Sequence, residues 1–154
     1  MIEKFENRLG SISVIIASYN AAHTIQACLN SLRHQAKQAK THQFEIIVAD
    51  SSTDGTDRLI ESHFPEVNLI RLSKRTYPGP ARNAAVLASK GEILVFLDTD
   101  CTVTKDWIRH IAKAHRDGWE VVGGAVLNGT RHSYIGTAEY ISEFSEYFQF
   151  QKER

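Results

Sequence analysis

The stretch Ile93-Leu94-Val95-Phe96-Leu97-Asp98-Thr99-Asp100-Cys101 decides the fold. Five apolar residues run directly into two carboxylates that stand two positions apart. An unbroken apolar run of this length reads as a strand buried on both faces, as in the interior of a parallel sheet. Such strands end in turns, and ligands bind in the crevice outside their carboxyl ends. Asp98 and Asp100 are therefore expected at the rim of a sheet, beside a cleft. Hard divalent cations take oxygen ligands, commonly one or two carboxylates together with substrate phosphates. Aspartates after a strand also serve as plain turn residues that accept from local amides. The fragment by itself fits either role.

Upstream, residues 12–17 (Ile-Ser-Val-Ile-Ile-Ala) form a first strand, followed by Ser18-Tyr19-Asn20 as a turn with Asn20 as a helix N-cap. Ile25, Cys28, Leu29 and Leu32 recur at helical spacing, which predicts a helix over residues 21–36. A second strand over residues 44–49 ends at Asp50, and Ser51 to Thr56 is dense in turn and capping residues. A short helix carrying Leu59, Ile60, His63 and Phe64 follows, stopped by Pro65. Residues 67–72 read as a third strand. Pro80 is placed to open a helix over Ala81–Ser89, with Gly91 as its stop. Beyond the opening stretch, Thr104 is expected to cap a helix bearing Trp107, Ile108 and Ile111. Residues 120–126 read as a fifth strand, and 134–150 as an aromatic helix with Tyr140, Phe144 and Phe148 at i, i+4 spacing.

Strands alternating with helices specify an α/β fold with a mainly parallel sheet flanked by helices. In that architecture the ends of strands one, two and four converge on one cleft. At 154 residues the chain is sized for a single domain, residues 1–154. Lys plus Arg equals Asp plus Glu at 18 each, so no net field favours nucleic acid or an anionic membrane. Cys28 and Cys101 match no zinc or redox spacing and read as buried thiols. The N-terminus carries no signal-peptide hydrophobic region and no window is long enough to span a bilayer, which sets a cytoplasmic expectation.

The order Val14-Ile15-Ile16-Ala17-Ser18-Tyr19-Asn20, Val48-Ala49-Asp50-Ser51-Ser52-Thr53-Asp54-Gly55-Thr56, Ala81-Arg82-Asn83 and Asp98-Thr99-Asp100 resembles the family-2 glycosyltransferases. The resemblance covers roughly residues 11–150 and implies a GT-A fold with a Rossmann-like nucleotide-binding half. It implies transfer of a sugar with inversion from a nucleotide-diphosphate donor, a uridine diphosphate sugar above others, to an acceptor hydroxyl it does not identify. It also implies a divalent cation, magnesium or manganese.

Carried over residue by residue, Ala17 and Tyr19 meet the nucleotide base, and Asp50 accepts from it, as suits the imide N–H of uracil. Arg82 lies near the diphosphate, where its planar fork of donors matches phosphate oxygens. Asp98 touches the ribose or a water on the metal, and Asp100 is the direct metal ligand. Two positions depart from the pattern. Ala49 stands where the family usually has the first of two aspartates. The family's catalytic base comes well downstream, beyond the region this chain spans. Glu139, Glu143 and Glu146 read as the polar face of a helix, so no catalytic residue is assigned.

The expected unit is thus the nucleotide-sugar-binding part of such an enzyme, with a binding module lacking transfer activity as the alternative. The aromatics of 134–150 are expected to pack on a further half. Left uncovered, they invite self-association or peripheral contact with a membrane surface.

Overall fold

Ile12–Ser18 form strand β1, in which Ile12, Val14, Ile15 and Ile16 are wholly buried. A strand apolar on both faces needs a neighbour on each edge and a layer over each face, and β1 has the neighbours. The structure, a computed structural model, describes residues 10–38 and 44–145. In it β1 pairs in parallel with β2 (Phe44–Asp50) on one side and β4 (Ile93–Phe96) on the other. Strand β3 (Asn68–Arg71) pairs with the far edge of β2, giving a four-stranded sheet of order β3-β2-β1-β4. This is the α/β arrangement the alternating pattern predicts as mainly parallel, and every described pairing is parallel.

One face of the sheet is covered by the apolar stripe of α1 (Ile25–Gln38), where Ile25, Cys28, Leu29 and Leu32 are buried. Ile60 and Phe64, on and just after α2 (Thr56–His63), join that cluster, as does Ile108 of α4 (Trp107–Arg116). On the other face α3 (Pro78–Ala88) lies over β1 and β2. Its buried residues are Ala81 and Ala85, packed with Ile15, Ile47 and Ala49. Alanines at that seam let the helix axis approach the strands closely.

Strand β4 differs from its expectation. It lies at the edge of the sheet, and its residues alternate between half-buried and exposed. Phe96 is in register with Ile15 and therefore shares the α3 face, where it is 53% exposed. The reason is geometric: α3 sits over β1 and β2, and no described strand pairs with the outer edge of β4.

Other expectations also shift. Helix α3 starts at Pro78, two positions before Pro80. Asn20 takes a left-handed backbone (φ 50°) and does not cap α1, which begins at Ile25. Helix α4 begins after Asp106, and Thr104 instead gives its carbonyl to the Gln35 side chain at 2.9 Å. Residues 120–126 form no strand, because no described edge pairs with them and Gly123-Gly124 weaken extended structure.

Contacts group the chain into two compact units, Met1–Glu120 and Val121–Arg154. In the second, α5 (Tyr134–Phe144) is capped by Ser133, whose hydroxyl accepts from the Gly136 amide at 3.1 Å. Tyr140 donates to the Val126 carbonyl at 2.8 Å, and its ring lies 5.4 Å from that of Phe144. The helix buries none of its residues, and Tyr134 and Ile135 are exposed. Glu146, Phe148 and the rest of the expected 134–150 helix lie outside the described residues.

Gly91 shows how tightly β4 is set against β1. A Cβ there would come within 2.5 Å of the Ser13 amide nitrogen. Gly91→Ala is expected to lower stability by about 1–3 kcal/mol through overpacking. Gly79→Ala, with nothing within 4 Å of the added methyl, is expected to leave it unchanged or slightly raised. Urea midpoints of the two variants check this, and equal midpoints would contradict the close approach.

Candidate functional site

Four carboxyl-end segments meet at one corner of the sheet, and backbone bonds hold the first two together. Ser18 and Asp50 stand in register, and the Ser51 amide donates to the Ser18 carbonyl at 3.0 Å. Beyond them the chain clasps itself. The Asn20 amide donates to Ser52 Oγ at 2.7 Å, and Asn20 Oδ1 accepts from the Thr53 amide at 2.9 Å. The positive φ of Asn20 is what turns its side chain to this work, and asparagine tolerates that conformation.

Asp54 closes the clasp. Its Oδ1 accepts from the Thr56 amide at 3.0 Å and the Thr56 hydroxyl at 2.5 Å, and Oδ2 accepts from the Ala22 amide at 3.1 Å. Burial pushes its pKa up, but these three bonds outweigh that and hold it below the usual carboxylate value.

Asp50 is 3% exposed, and Ser52 engages both its oxygens, hydroxyl to Oδ1 at 2.6 Å and amide to Oδ2 at 3.1 Å. It thus works as a turn carboxylate while keeping spare lone pairs for a further donor. Beside it, Ser18 Oγ is buried without a partner, an atom that a bound polar group would satisfy. Ala17 lies half-buried against the α3 layer, and Tyr19 is 40% exposed at the mouth.

The third segment is the loop after β3. The Leu72 amide donates to the Asp50 carbonyl at 2.8 Å, and the Thr76 amide to Ser51 Oγ at 3.2 Å. This brings Arg75 over the Tyr19 ring, its guanidinium carbon 4.7 Å from the ring centroid. Nothing local in the sequence links Arg75 to Tyr19 or sets it apart from the neighbouring loop cation Lys74.

The fourth segment follows β4. Leu97 continues the ladder to the Ile15 carbonyl at 3.1 Å, and the Cys101 amide then bonds the Asp98 carbonyl at 3.2 Å, closing a turn over Asp98–Cys101. From below, Cys28 of α1 donates its thiol to the same carbonyl at 3.6 Å. Ser31 and Gln35, on the same stripe of α1, continue the attachment. Ser31 Oγ accepts from the Val103 amide at 3.1 Å, and the Gln35 amide donates to the carbonyls of Thr104 and Lys105, each at 2.9 Å. Burial, then the nearby Cys101 and carboxylates, push the Cys28 thiol up to about 12. Cys101, half-buried, is raised by burial and by Asp100 and Asp98. Both thiols therefore stay protonated near neutral pH.

Asp98 is bound by Arg82 of α3, Nη2 to Oδ1 at 2.5 Å. With Gly79, Asn83 and Phe96 the pair lines a cleft of about 500 Å³, within the usual range for small ligands. Arg82 Nε is buried with no partner, a donor still open to an acceptor. The pair is partly exposed, with side chains 34% and 62% accessible, so it stabilises the fold by no more than about 1 kcal/mol. Its arms can be reassigned to a ligand at small cost.

Asp100 is exposed on the turn. Among the described residues no group of three His, Cys, Asp or Glu side chains converges as a ready metal cage. Two carboxylates, two positions apart on one turn, are nevertheless the ligand type of magnesium or manganese, which take one or two such groups and complete their shell with phosphate and water oxygens. None of the described helices is long and apolar enough to cross a membrane.

The chain matches glycosyl transferase family 2 over residues 13–153. It is 33% identical to the glycosyltransferase AglE of Haloferax volcanii over 120 residues, 75% of this chain and 39% of that protein. It is 37% identical to the poly(ribitol-phosphate) beta-N-acetylglucosaminyltransferase TarS of Staphylococcus aureus over 106 residues, 65% of this chain and 18% of that protein. Among solved structures it superposes on S. aureus TarS 1-349 in complex with UDP with a TM-score of 0.62 and 27% identity, covering 79% of this chain and 40% of that one. The mannosyltransferase PcManGT of Pyrobaculum calidifontis, in complex with GDP-Man and Mn2+, gives a TM-score of 0.58 at 30% identity over 74% of this chain and 34% of that one. The chain spans well under half the length of each of these proteins.

The Asp54 clasp predicts an acid response. A carboxylate whose folded pKa lies below its ordinary value of 3.8 adds stability above that value and loses it as pH falls through the folded pKa. Asp54→Asn is expected to be less stable at pH 7 and to lose less on acidification, so its stability-versus-pH curve is flatter below pH 5. A curve parallel to that of the unaltered chain would show that Asp54 makes no such bonds in solution.

Proposed function

The chain belongs to glycosyl transferase family 2, and from that premise we propose that it binds the nucleotide-diphosphate sugar donor of a metal-dependent, inverting sugar transfer to an acceptor hydroxyl. The observation that carries this reading is that Tyr19, Asp50, Asp98 and Asp100 lie at or just after the carboxyl ends of the neighbouring parallel strands β1, β2 and β4, with Arg82 of α3 paired to Asp98. Crevices outside such strand ends are where α/β sheets bind ligands.

Each side chain has a role suited to its chemistry. The spare lone pairs of Asp50 accept from a base N–H, the imide of uracil in the favoured donor; guanine offers a comparable donor, and relatives are known with UDP and with GDP-Man. Ala17 keeps the floor beside Tyr19 low, so that the base approaches the strand. Arg82 turns its fork, including the unpartnered Nε, to the diphosphate. It is the fifth residue of α3, one turn in from the positive end of the helix dipole.

Asp98 and Asp100 would hold a divalent cation beside the diphosphate. When bound, that cation supplies a Lewis acid that stabilises charge on the leaving diphosphate. Inversion requires the acceptor hydroxyl to approach the anomeric carbon opposite the diphosphate while a base takes its proton. No carboxylate of the described residues is given that role. The acceptor is open. The exposed apolar residues of α5, such as Ile135 and Ile141, suit association with a second copy or a membrane surface.

Calorimetry with uridine diphosphate and manganese tests the reading. Asp100→Asn is expected to cut nucleotide affinity at least tenfold in the presence of manganese and to remove the gain that manganese gives. Asp50→Asn is expected to narrow the preference for uridine over cytidine diphosphate. A manganese dependence unchanged in Asp100→Asn would contradict the metal assignment. Binding without any sugar transfer would favour a donor-binding module over a complete transferase.

A further inference from the structure

Three hydrogen-bonding side chains lie along one stripe of α1, and each reaches the chain that follows β4. Cys28, Ser31 and Gln35 stand at i, i+3 and i+7, one above another on a helix face. The Cys28 thiol donates to the Asp98 carbonyl, Ser31 Oγ accepts from the Val103 amide, and Gln35 donates to the carbonyls of Thr104 and Lys105. Gln35 Oε1 also accepts from the Ile108 amide at 3.4 Å, at a helix start where Asp106 makes no side-chain cap. The chain from Asp98 to Ile108 therefore runs along α1 like the side of a ladder, with a rung at each turn of the helix.

Asp100 lies on an arch, Thr99 to Thr102, between the first rung and the second. Both feet of the arch are seated, because Leu97 and Val103 on either side pack against the α1 core cluster. Ser31 gives its own hydroxyl proton to the Cys28 carbonyl at 2.7 Å, which leaves its lone pairs for the Val103 amide. Among the described residues no cage of further acidic, histidine or cysteine ligands fixes the two carboxylates. Their spacing is set by the backbone of the arch, and the ladder holds that backbone.

We infer that Cys28, Ser31 and Gln35 are positioning residues that hold Asp98 and Asp100 in a spacing selective for magnesium over calcium. The inference rests on the metal–diphosphate reading above and adds to it the residues that tune the cation. Magnesium demands near-ideal octahedral geometry, whereas calcium accepts larger and more variable shells. An arch held at both feet meets the first demand, and a loosened arch still meets the second. Gln35 is 4% exposed, a site where an apolar side chain would seal α1 against α4 with no bond to satisfy. A buried polar group with all its bonds made fixes geometry more than it adds net stability.

The test is calorimetric titration of the full chain with uridine diphosphate in magnesium, in calcium, and in chelator with neither. Ser31→Ala removes the second rung at a half-buried position, and Ser31→Thr keeps the hydroxyl. Gln35→Met removes the third rung at nearly constant volume. The ladder predicts that Ser31→Ala and Gln35→Met each cut the affinity gained from magnesium about tenfold. The gain from calcium and the affinity in chelator stay unchanged, and Ser31→Thr keeps most of the magnesium gain.

A magnesium gain unchanged in Ser31→Ala, even with a lowered urea midpoint, would show a merely structural role and overturn the ladder while leaving the donor site standing. An equal fall in magnesium and in calcium would overturn it likewise. If Gln35→Met does not fold, Ser31→Ala decides alone. An unaltered chain that binds uridine diphosphate no better in magnesium than in chelator would overturn the metal reading and the ladder with it.

Discussion

Parallel pairing of β1 on both its edges is the constraint on which the rest depends. Ile12, Val14, Ile15 and Ile16 are removed wholly from water, each contributing on the order of 1.5–3 kcal/mol of transfer free energy. They reach that state only with α1 on one face, α3 on the other, and β2 and β4 alongside. Because all three strands run the same way, their carboxyl ends finish together. The corner where Tyr19, Asp50 and Asp98 meet follows from strand direction before any side-chain chemistry is considered.

Local polar bonds then turn that coincidence into a shaped site. Asn20 and Asp54 fasten the loop after β2 to the segment after β1, and Ser51 fastens the loop after β3 to both. Cys28, Ser31 and Gln35 tie the segment after β4 to the buried stripe of α1. The turn bearing Asp98 and Asp100 is therefore supported from the core side, while its carboxylates remain accessible. The Arg82–Asp98 pair adds little to stability, in keeping with the proposal that both groups exchange partners with a ligand.

Much of this was legible in the sequence because strand ends carry distinctive residues. Asp50-Ser51-Ser52, Asp98-Thr99-Asp100 and the prolines before Arg82 mark turns and a helix start wherever they fall, and their order matched one family. What sequence could not rank was burial. Ile93–Leu97 is as apolar as the body of β1, yet β1 is interior and β4 is an edge, because position in a sheet depends on strands far away in the chain. Long range also hid the Arg75–Tyr19 contact and the Gln35 bonds, the latter joining residues 69 and 70 positions apart. The segment 120–126 failed as a strand for the same reason, since Val121 and Val122 have the propensity but no described partner.

The central claim is that the turn after β4 and Arg82 of α3 form one metal–diphosphate corner. Paramagnetic broadening of backbone amide resonances by manganese tests it most directly. With uridine diphosphate present, the account predicts broadening centred on Asp98–Cys101 and reaching Arg82, and much weaker broadening at the same manganese concentration without the nucleotide. Broadening centred elsewhere, or indifferent to the nucleotide, would contradict it.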